Sequence, residues 1–331
     1  MEHRVDTVEQ VAEALAAHDY LADEGLTTAI FLALRLARPL LLEGEAGVGK
    51  TEVAKVLARW TGGELIRLQC YEGLDVSQAV YEWDYSRQLL HLRASEAAHR
   101  FGAGDTGVEQ ATRAALALED ELYTERFLVR RPLLRAIAPV GGVTVGGGPG
   151  TGPAGGGAAG PVPVLLIDEV DRADDEFEAF LLEILADYSV TVPELGTFRA
   201  EVPPIVVITS NRTRDVHDAL KRRCLYHWVE HPDFDREVAI VRTRCPGVSE
   251  HLAREVAAAT EVLRDMGLYK PPGVAETIDW AEALTLLGRD GLDEASVAST
   301  LGTVLKYRED VDRARRSGLD VLVETARARR A

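Results

Sequence analysis

Residues Leu40–Thr51 read LLLEGEAGVGKT, and this stretch decides the fold. Leu40, Leu41 and Leu42 form a short apolar run that reads as a buried strand. Gly44-Glu45-Ala46-Gly47-Val48-Gly49-Lys50-Thr51 then fits the pattern G-x-x-x-x-G-K-[ST]. Thr51 to Trp60 carries the apolar spacing of a helix. A glycine loop between strand and helix lets backbone N–H groups wrap a triphosphate, and the helix N-terminus adds positive potential. Lys50 would reach the β- and γ-phosphates, and the Thr51 hydroxyl would ligate Mg²⁺.

Working outward, Val5 to Ala17 and Thr27 to Ala37 read as helices, the second ending before Pro39. Glu64 to Cys70 reads as the next strand. Asp75 to Ala138 reads as mostly helical, with FLVRRPLLRAIA (residues 127–138) carrying apolar side chains at helical spacing and Pro132 marking a helix start inside it. Residues Gly141 to Pro163 hold eleven glycines and no charge. They cannot bury enough surface to offset ordering, and read as a flexible linker.

Val164 to Ile167 is a continuous apolar strand ending in Asp168-Glu169. A helix with Phe177, Phe180, Leu181, Ile184 and Leu185 follows, then the apolar strand Pro204 to Ser210 and another from Leu225 to Glu230. Continuous apolar strands alternating with helices signal a parallel sheet covered on both faces. After Pro232 the pattern is helical to the end. The expected architecture is an α/β phosphate-loop core over residues 1–231, its sheet sandwiched by helices, then a smaller all-helical lid over 232–331.

An acid pair at a strand's C-terminal edge lies where ligands of open α/β sheets bind. Asp168 would hold the Mg²⁺ shell, and Glu169 would act as general base on water. Without the phosphate loop these would read as solvated acids ahead of an acidic helix. Asn211, directly after its strand, can orient water against a γ-phosphate or simply cap a turn. Lys221-Arg222-Arg223 would ordinarily be a solvated face. Its place between two strands suits an arginine finger acting on a neighbour's nucleotide. Arg223 is chosen, with Arg222 left open.

Lys+Arg total 37 and Asp+Glu 54, a net charge of −17, which opposes duplex binding and docking on anionic membranes. Three scattered cysteines, Cys70, Cys224 and Cys245, argue against a disulfide framework or zinc site and suit a reducing cytoplasm. The first twenty residues do not read as a signal peptide. The most apolar stretch, TAIFLALRLARPLLL (residues 28–42), is too short and too charged to span a bilayer.

Phosphate loop, Asp-Glu, strand-end Asn and terminal Arg before a helical lid occur in this order in AAA+ ATPases. The phrases RFLVRRPLLRAI, LLIDEVDRADDEFEAFLLEILADYSVTVPELGTF, ITSNRTRDVHDALKRRCLYHW and KPPGVAETIDW resemble the MoxR family, its CoxD-like branch most closely, from about residue 20 to at least residue 290. The resemblance implies an ATP-driven chaperone that hydrolyses ATP with Mg²⁺ as a hexameric ring. It implies a partner with a von Willebrand factor A domain and a link to metal-centre maturation of carbon monoxide dehydrogenase and related molybdenum hydroxylases. By motif matching, Lys50 and Thr51 carry the phosphate-loop roles, Asp168 and Glu169 the second motif, Asn211 the first sensor and Arg223 the finger.

Two departures matter. One is the Gly141–Pro163 insert ahead of the Asp-Glu strand, expected to leave the ATPase core intact; the other lies in the lid. Many relatives carry an Arg near the start of a lid helix that contacts the γ-phosphate, where this chain has Gly273-Val274-Ala275-Glu276-Thr277. This stretch has no second-sensor arginine, and hydrolysis would be slow or use another cation. That keeps an ATP-gated scaffold with little turnover as an alternative. A small-molecule kinase fits the Asp-Glu pair and helical lid poorly. A DNA motor is opposed by the charge.

Overall fold

The computed structural model describes residues 5–101, 121–138, 144–145 and 161–330. Ten strands are found among them: β1 (Leu40–Gly44), β2 (Leu65–Gln69), β3 (Tyr81–Trp83), β4 (Leu128–Arg130), β5 (Thr144–Val145), β6 (Val164–Asp168), β7 (Ser189–Val192), β8 (Gly196–Arg199), β9 (Ile205–Ser210) and β10 (Leu225–Val229). Five of them make an all-parallel sheet in the order β10-β1-β9-β6-β2. Chain-adjacent strands are not neighbours at β1, because helical crossovers carry the chain over the sheet faces.

The unbroken apolar strands follow from that layering. Alternate residues of a strand face opposite ways. Leu41, Leu165, Ile167 and Ile208 enter the core on one face, and Leu40, Leu42, Leu166 and Val207 the core on the other. A strand buried on both faces has no position for a polar side chain until its end. The polar ends of β1, β6 and β9 therefore gather at one edge.

Helix boundaries follow their caps. Asp23 accepts from Leu26 N at 2.6 Å ahead of the helix Glu24–Leu36, so that helix begins earlier than its apolar spacing suggests. Asp174 does the same for Asp175–Asp187, accepting from Phe177 N at 2.9 Å. The phosphate-loop helix is Lys50–Thr61.

Two expectations are corrected. The region 75–138 is not one helical block. Within its described residues, β3 and β4 pair antiparallel, Glu82 opposite Val129, around the helix Tyr85–Phe101. In FLVRRPLLRAIA, Leu128–Arg130 is strand, and the helix spans only Pro132–Ile137. Pro132 sits at the first turn, where its missing N–H costs nothing, and it pushes Arg131 into extended backbone. The linker expected over 141–163 falls largely outside the described residues. Thr144–Val145 within it is paired, antiparallel to Thr197 and Phe198 of β8, and so is not spacer.

After Pro232 the described residues form six helices: Phe234–Arg244, Glu250–Asp265, Val274–Leu286, Glu294–Val304, Arg308–Arg316 and Leu319–Arg330. They enclose a separate apolar core between Val238 and Ala326, with Trp280 fully buried and its indole N–H donating to Thr300 Oγ1 at 2.7 Å. Among the described residues no helix is long and apolar enough to cross a membrane.

Candidate functional site

β1 delivers the chain to Gly44, and the loop closes at Gly49, whose φ of +95° a side chain would strain. Val48 turns into the sheet core, while Ala46, Gly47 and Gly49 line a cleft. The Glu45 carboxylate lies outside the turn, 3.1 Å from His231 Nε2. Lys50 is almost completely buried, and its Nζ donates to Gly44 O at 2.8 Å and Glu45 O at 2.7 Å. Burial lowers its pKa to about 8, against the opposite pull of Asp171, Asp168, Glu169 and Glu45.

The acid pair stands opposite. Asp168 ends β6 and is 3% exposed. Its Oδ1 accepts from Thr51 Oγ1 at 3.1 Å and from Thr209 Oγ1 at 2.6 Å, and its Oδ2 accepts from Arg67 Nε at 3.0 Å. Thr209 also accepts from Glu169 N at 2.9 Å, so one hydroxyl sets both acids. Glu169 sits in left-handed backbone at φ +56°, unusual outside glycine, which turns its side chain off the strand line. Its Oε1 accepts from Asn211 Nδ2 at 3.3 Å, and its Oε2 from Gln69 Nε2 at 3.0 Å and Arg172 Nη1 at 3.1 Å.

Asn211 is held in turn. Its N–H donates to Asp171 Oδ1 at 3.2 Å, while Thr213 gives its N–H at 2.8 Å and its hydroxyl at 2.7 Å to Asp171 Oδ2. Asp171 is buried and ties the turn after β6 to the turn after β9.

A cavity of about 360 Å³ joins these groups. Lys50, Thr51, Asp168, Glu169, Thr209 and Asn211 line one side, Asp19, Tyr20 and Leu21 another, and Arg236, Ile240, Arg244, Val274, Ala275 and Ile278 the helical side. A larger cavity of about 860 Å³ lies at the opposite ends of the strands, among Val5, Leu40, Trp60 and Ile205, and contains none of the loop or acid residues. The helical side is in direct contact with the loop. Ala275 N donates to Gly47 O at 3.3 Å, and a side chain on Gly273 would meet Gly47 Cα at 2.6 Å. Arg264 fixes that segment, donating to Pro272 O at 2.8 Å and pairing at 2.7 Å with Glu237, which also accepts from Thr277 Oγ1 at 2.7 Å. No cation from Gly273–Thr277 lines the cavity.

The finger candidates are elsewhere. Arg223 is exposed at the end of the short helix Asp218–Arg223, and its guanidinium donates to Leu182 O. Arg38 reaches the carbonyls of Arg222 at 2.8 Å and Arg223 at 3.1 Å and so anchors that helix end. Neither Arg222 nor Arg223 lines the cleft of its own chain.

Arg67, Gln69, Thr209 and Asp171 were missed by sequence reasoning. The signal for the first two was present: Arg67 and Gln69 alternate with buried Ile66 and Leu68 along β2, beside the acid-bearing β6. Among the described residues no group of three or more His, Cys, Asp or Glu is arranged to hold a metal. The Thr51 hydroxyl against the Asp168 carboxylate is a small set of hard oxygen donors, which fits an ion that keeps most of its waters and takes phosphate oxygens, as Mg²⁺ does.

Residues 39–224, more than half of the chain, match the AAA domain (dynein-related subfamily). The chain belongs to this AAA family. The phosphate loop and four of the five parallel strands lie inside the matched span, with β10 just beyond it, and the fold expected from the sequence is the one found. No curated protein matches the AAA chain. Among solved structures it is similar to a candidate ATPase from Cytophaga hutchinsonii, at 14% identity over 98% of this chain and 94% of that one, with a TM-score of 0.41. It is similar to a point mutant of RuvB from Thermotoga maritima at 14% identity, covering 92% of this chain and 72% of that one, with a TM-score of 0.43. The RuvB Holliday junction branch migration motor of Thermotoga maritima matches at 14% identity, 92% and 69% coverage and a TM-score of 0.41.

Proposed function

We propose that the chain is an ATP-hydrolysing AAA+ machine of MoxR type, close to the CoxD-like branch, that remodels a client protein. The observation that carries this reading is the convergence of Lys50, Thr51, Asp168, Glu169 and Asn211 on one cleft. Gly44 to Thr51 bind the triphosphate, with Lys50 leaving the loop carbonyls for the phosphates. Thr51 and Asp168 would hold Mg²⁺, which neutralises phosphate charge when bound. Glu169 takes a proton from the attacking water as its oxygen bonds to the γ-phosphorus and the bond to ADP breaks. Asn211 orients that water and the carboxylate beside it. Arg223 acts on the nucleotide of a neighbouring subunit, which requires a ring, in keeping with the oligomeric habit of AAA+ proteins.

The boundary between nucleotide-binding domain and lid falls near Pro232, and the contact of Gly273 with Gly47 is how hydrolysis moves the lid. The remaining parts of the proposal rest on the resemblance: a hexamer in the cytoplasm, a partner with a von Willebrand factor A domain, and a molybdenum hydroxylase of the carbon monoxide dehydrogenase type as client. The test is phosphate release from ATP and Mg²⁺ by the purified chain, with Lys50→Ala as control. Turnover without any phosphorylated acceptor supports an ATPase over a kinase. Assembly on ATP with turnover equal to that of Lys50→Ala would replace the machine with a scaffold.

A further inference from the structure

The helix that begins at Val274 brings Val274 and Ala275 to the cleft, and neither carries charge. Positive charge reaches the same cleft from a different helix. Arg236, Ile240 and Arg244 recur at i, i+4 and i+8 on one face of Phe234–Arg244, and all three line the cavity. That face is not the one that packs into the helical core. Val238 and Val241, on its other side, perform that packing.

The charges of both arginines are incompletely matched. Arg236 has a side chain 23% exposed, and its Nη1 donates to Asp23 Oδ2 at 3.2 Å. Its Nε is buried without a hydrogen-bond partner. A buried donor left unmade costs free energy that a ligand acceptor would recover. Asp23 is also committed to Leu26 N through Oδ1 and stands 3.7 Å from His227. Arg244 Nη1 is 3.5 Å from Glu52 Oε1. Glu52 already holds Lys55 at 3.0 Å and Arg59 at 3.1 Å, so one carboxylate faces three cations. The two anchoring acids belong to the core side of the cleft, opposite the helix: Glu52 lines the cavity directly after Thr51, and Asp23 comes two residues after the Asp19–Leu21 segment that lines it.

We propose that Arg236 and Arg244 bind the anionic nucleotide from the helical side, supplying the cations that the start of the Val274–Leu286 helix lacks, with Ile240 between them against the apolar part of the ligand. The proposal rests on the cleft being the ATP site. Nucleotide then competes with Asp23 and Glu52 for the two guanidinium groups, and its arrival exchanges chain-to-chain ion pairs for chain-to-ligand ones. The alternative is that the pairs only fasten the helix to the core.

The two accounts predict opposite behaviour for the acids. The measurement is the Kd of the full chain for a fluorescent ATP analogue, in Arg236→Gln, Arg244→Gln, Asp23→Asn and Glu52→Gln. Each arginine variant should weaken binding about tenfold or more, as loss of a charge-assisted hydrogen bond does. Each acid variant frees its arginine and should bind as tightly as the parent or tighter. Asn at 23 still caps its helix. Acid variants that weaken binding as much as their arginine partners would show the pairs to be fasteners and overturn the proposal, as would arginine variants that bind like the parent. Arg244 is 41% exposed, so Arg244→Gln carries the test if Arg236→Gln does not fold. Lys50→Ala separates the two levels: unchanged ATP binding there would refute the cleft as the ATP site, whatever the arginines do.

Discussion

Asn211 Nδ2 donates to Glu169 Oε1 at 3.3 Å, across 42 residues of sequence, while Gln69 Nε2 holds the other oxygen of the same carboxylate at 3.0 Å. Two amides hold the base in place, and the Arg172 guanidinium pairs with it at 3.1 Å from the exposed side. The base and the two amides come from three strands: Gln69 on β2, Glu169 after β6 and Asn211 after β9. Glu169→Gln keeps the shape and loses the proton acceptor. ATP binding should persist, and turnover should fall about 10²–10⁴-fold, the usual contribution of a general base. Phosphate release at the parental rate would remove Glu169 from that role. Asn211→Ala should lower kcat while leaving the Kd for ATP within about threefold, because binding rests on other groups.

Gly273 and Gly47 touch backbone to backbone. A Cβ at 273 would lie 2.6 Å from Gly47 Cα and 2.9 Å from Ala46 O, and neither atom can rotate away. Gly273→Ala should therefore destabilise the chain by about 1–3 kcal/mol and weaken ATP binding together. Gly302 is the contrast: it lies inside the helix Glu294–Val304 with nothing within 4 Å of an added Cβ. Gly302→Ala should raise stability by about 0.5–1 kcal/mol with no effect on ATP. Thermal unfolding and a nucleotide titration on both variants check the pair, and equal shifts in both would mean that the loop contact plays no part.

The phosphate loop was legible because its chemistry is local: a strand, a short glycine turn and a helix fall within the stretch Leu40–Thr61. The acid pair was legible because it directly ends an unbroken apolar strand, Val164–Asp168. The sheet was legible because its strands are buried on both faces and so carry unbroken apolar runs. What was not legible depends on register between strands. Arg67 and Asp168 meet only because β2 pairs with β6, so that Leu68 stands opposite Ile167 and Gln69 opposite Asp168. The β3–β4 pair was hidden because three-residue strands around a long helical insertion have too few residues to show a period of two. The Arg236–Ile240–Arg244 face was not legible either, since helical spacing says which residues share a face but not what that face meets.

His227 gives a pH dependence whose sign can be stated. Burial lowers its pKa below the ordinary 6.5, with Asp23 pulling back and Arg236 adding to the drop. The unfolded chain then holds the proton more tightly than the folded one. Stability rises with pH through the window between the depressed value and 6.5, and is lost as pH falls through it. His227→Gln should flatten that part of the stability–pH curve. Denaturant titrations of parent and variant at several pH values test this, and parallel curves would contradict it.

Arg223 poses the sharpest question about assembly, because its own chain already uses it. Its guanidinium donates to Leu182 O, and Arg38 holds the carbonyls at the same helix end, so the helix is presented rather than folded into the cleft. A finger acting on a neighbour must lie outside its own site, and both Arg222 and Arg223 meet that condition. Substituting either to Ala should leave ATP binding by isolated chains unchanged. The one that serves the neighbour should lower turnover of the assembly about 10³-fold or more, the scale of arginine-finger loss. Mixing separates action in trans from local damage. A Lys50→Ala chain cannot bind ATP but still carries the finger, and an Arg223→Ala chain binds ATP but lacks it. Mixed assemblies should regain part of the activity that neither has alone. If verified mixed assemblies with Arg223→Ala stay inactive while those with Arg222→Ala recover, the finger is Arg222. Recovery with neither would mean that this helix does not act across subunits.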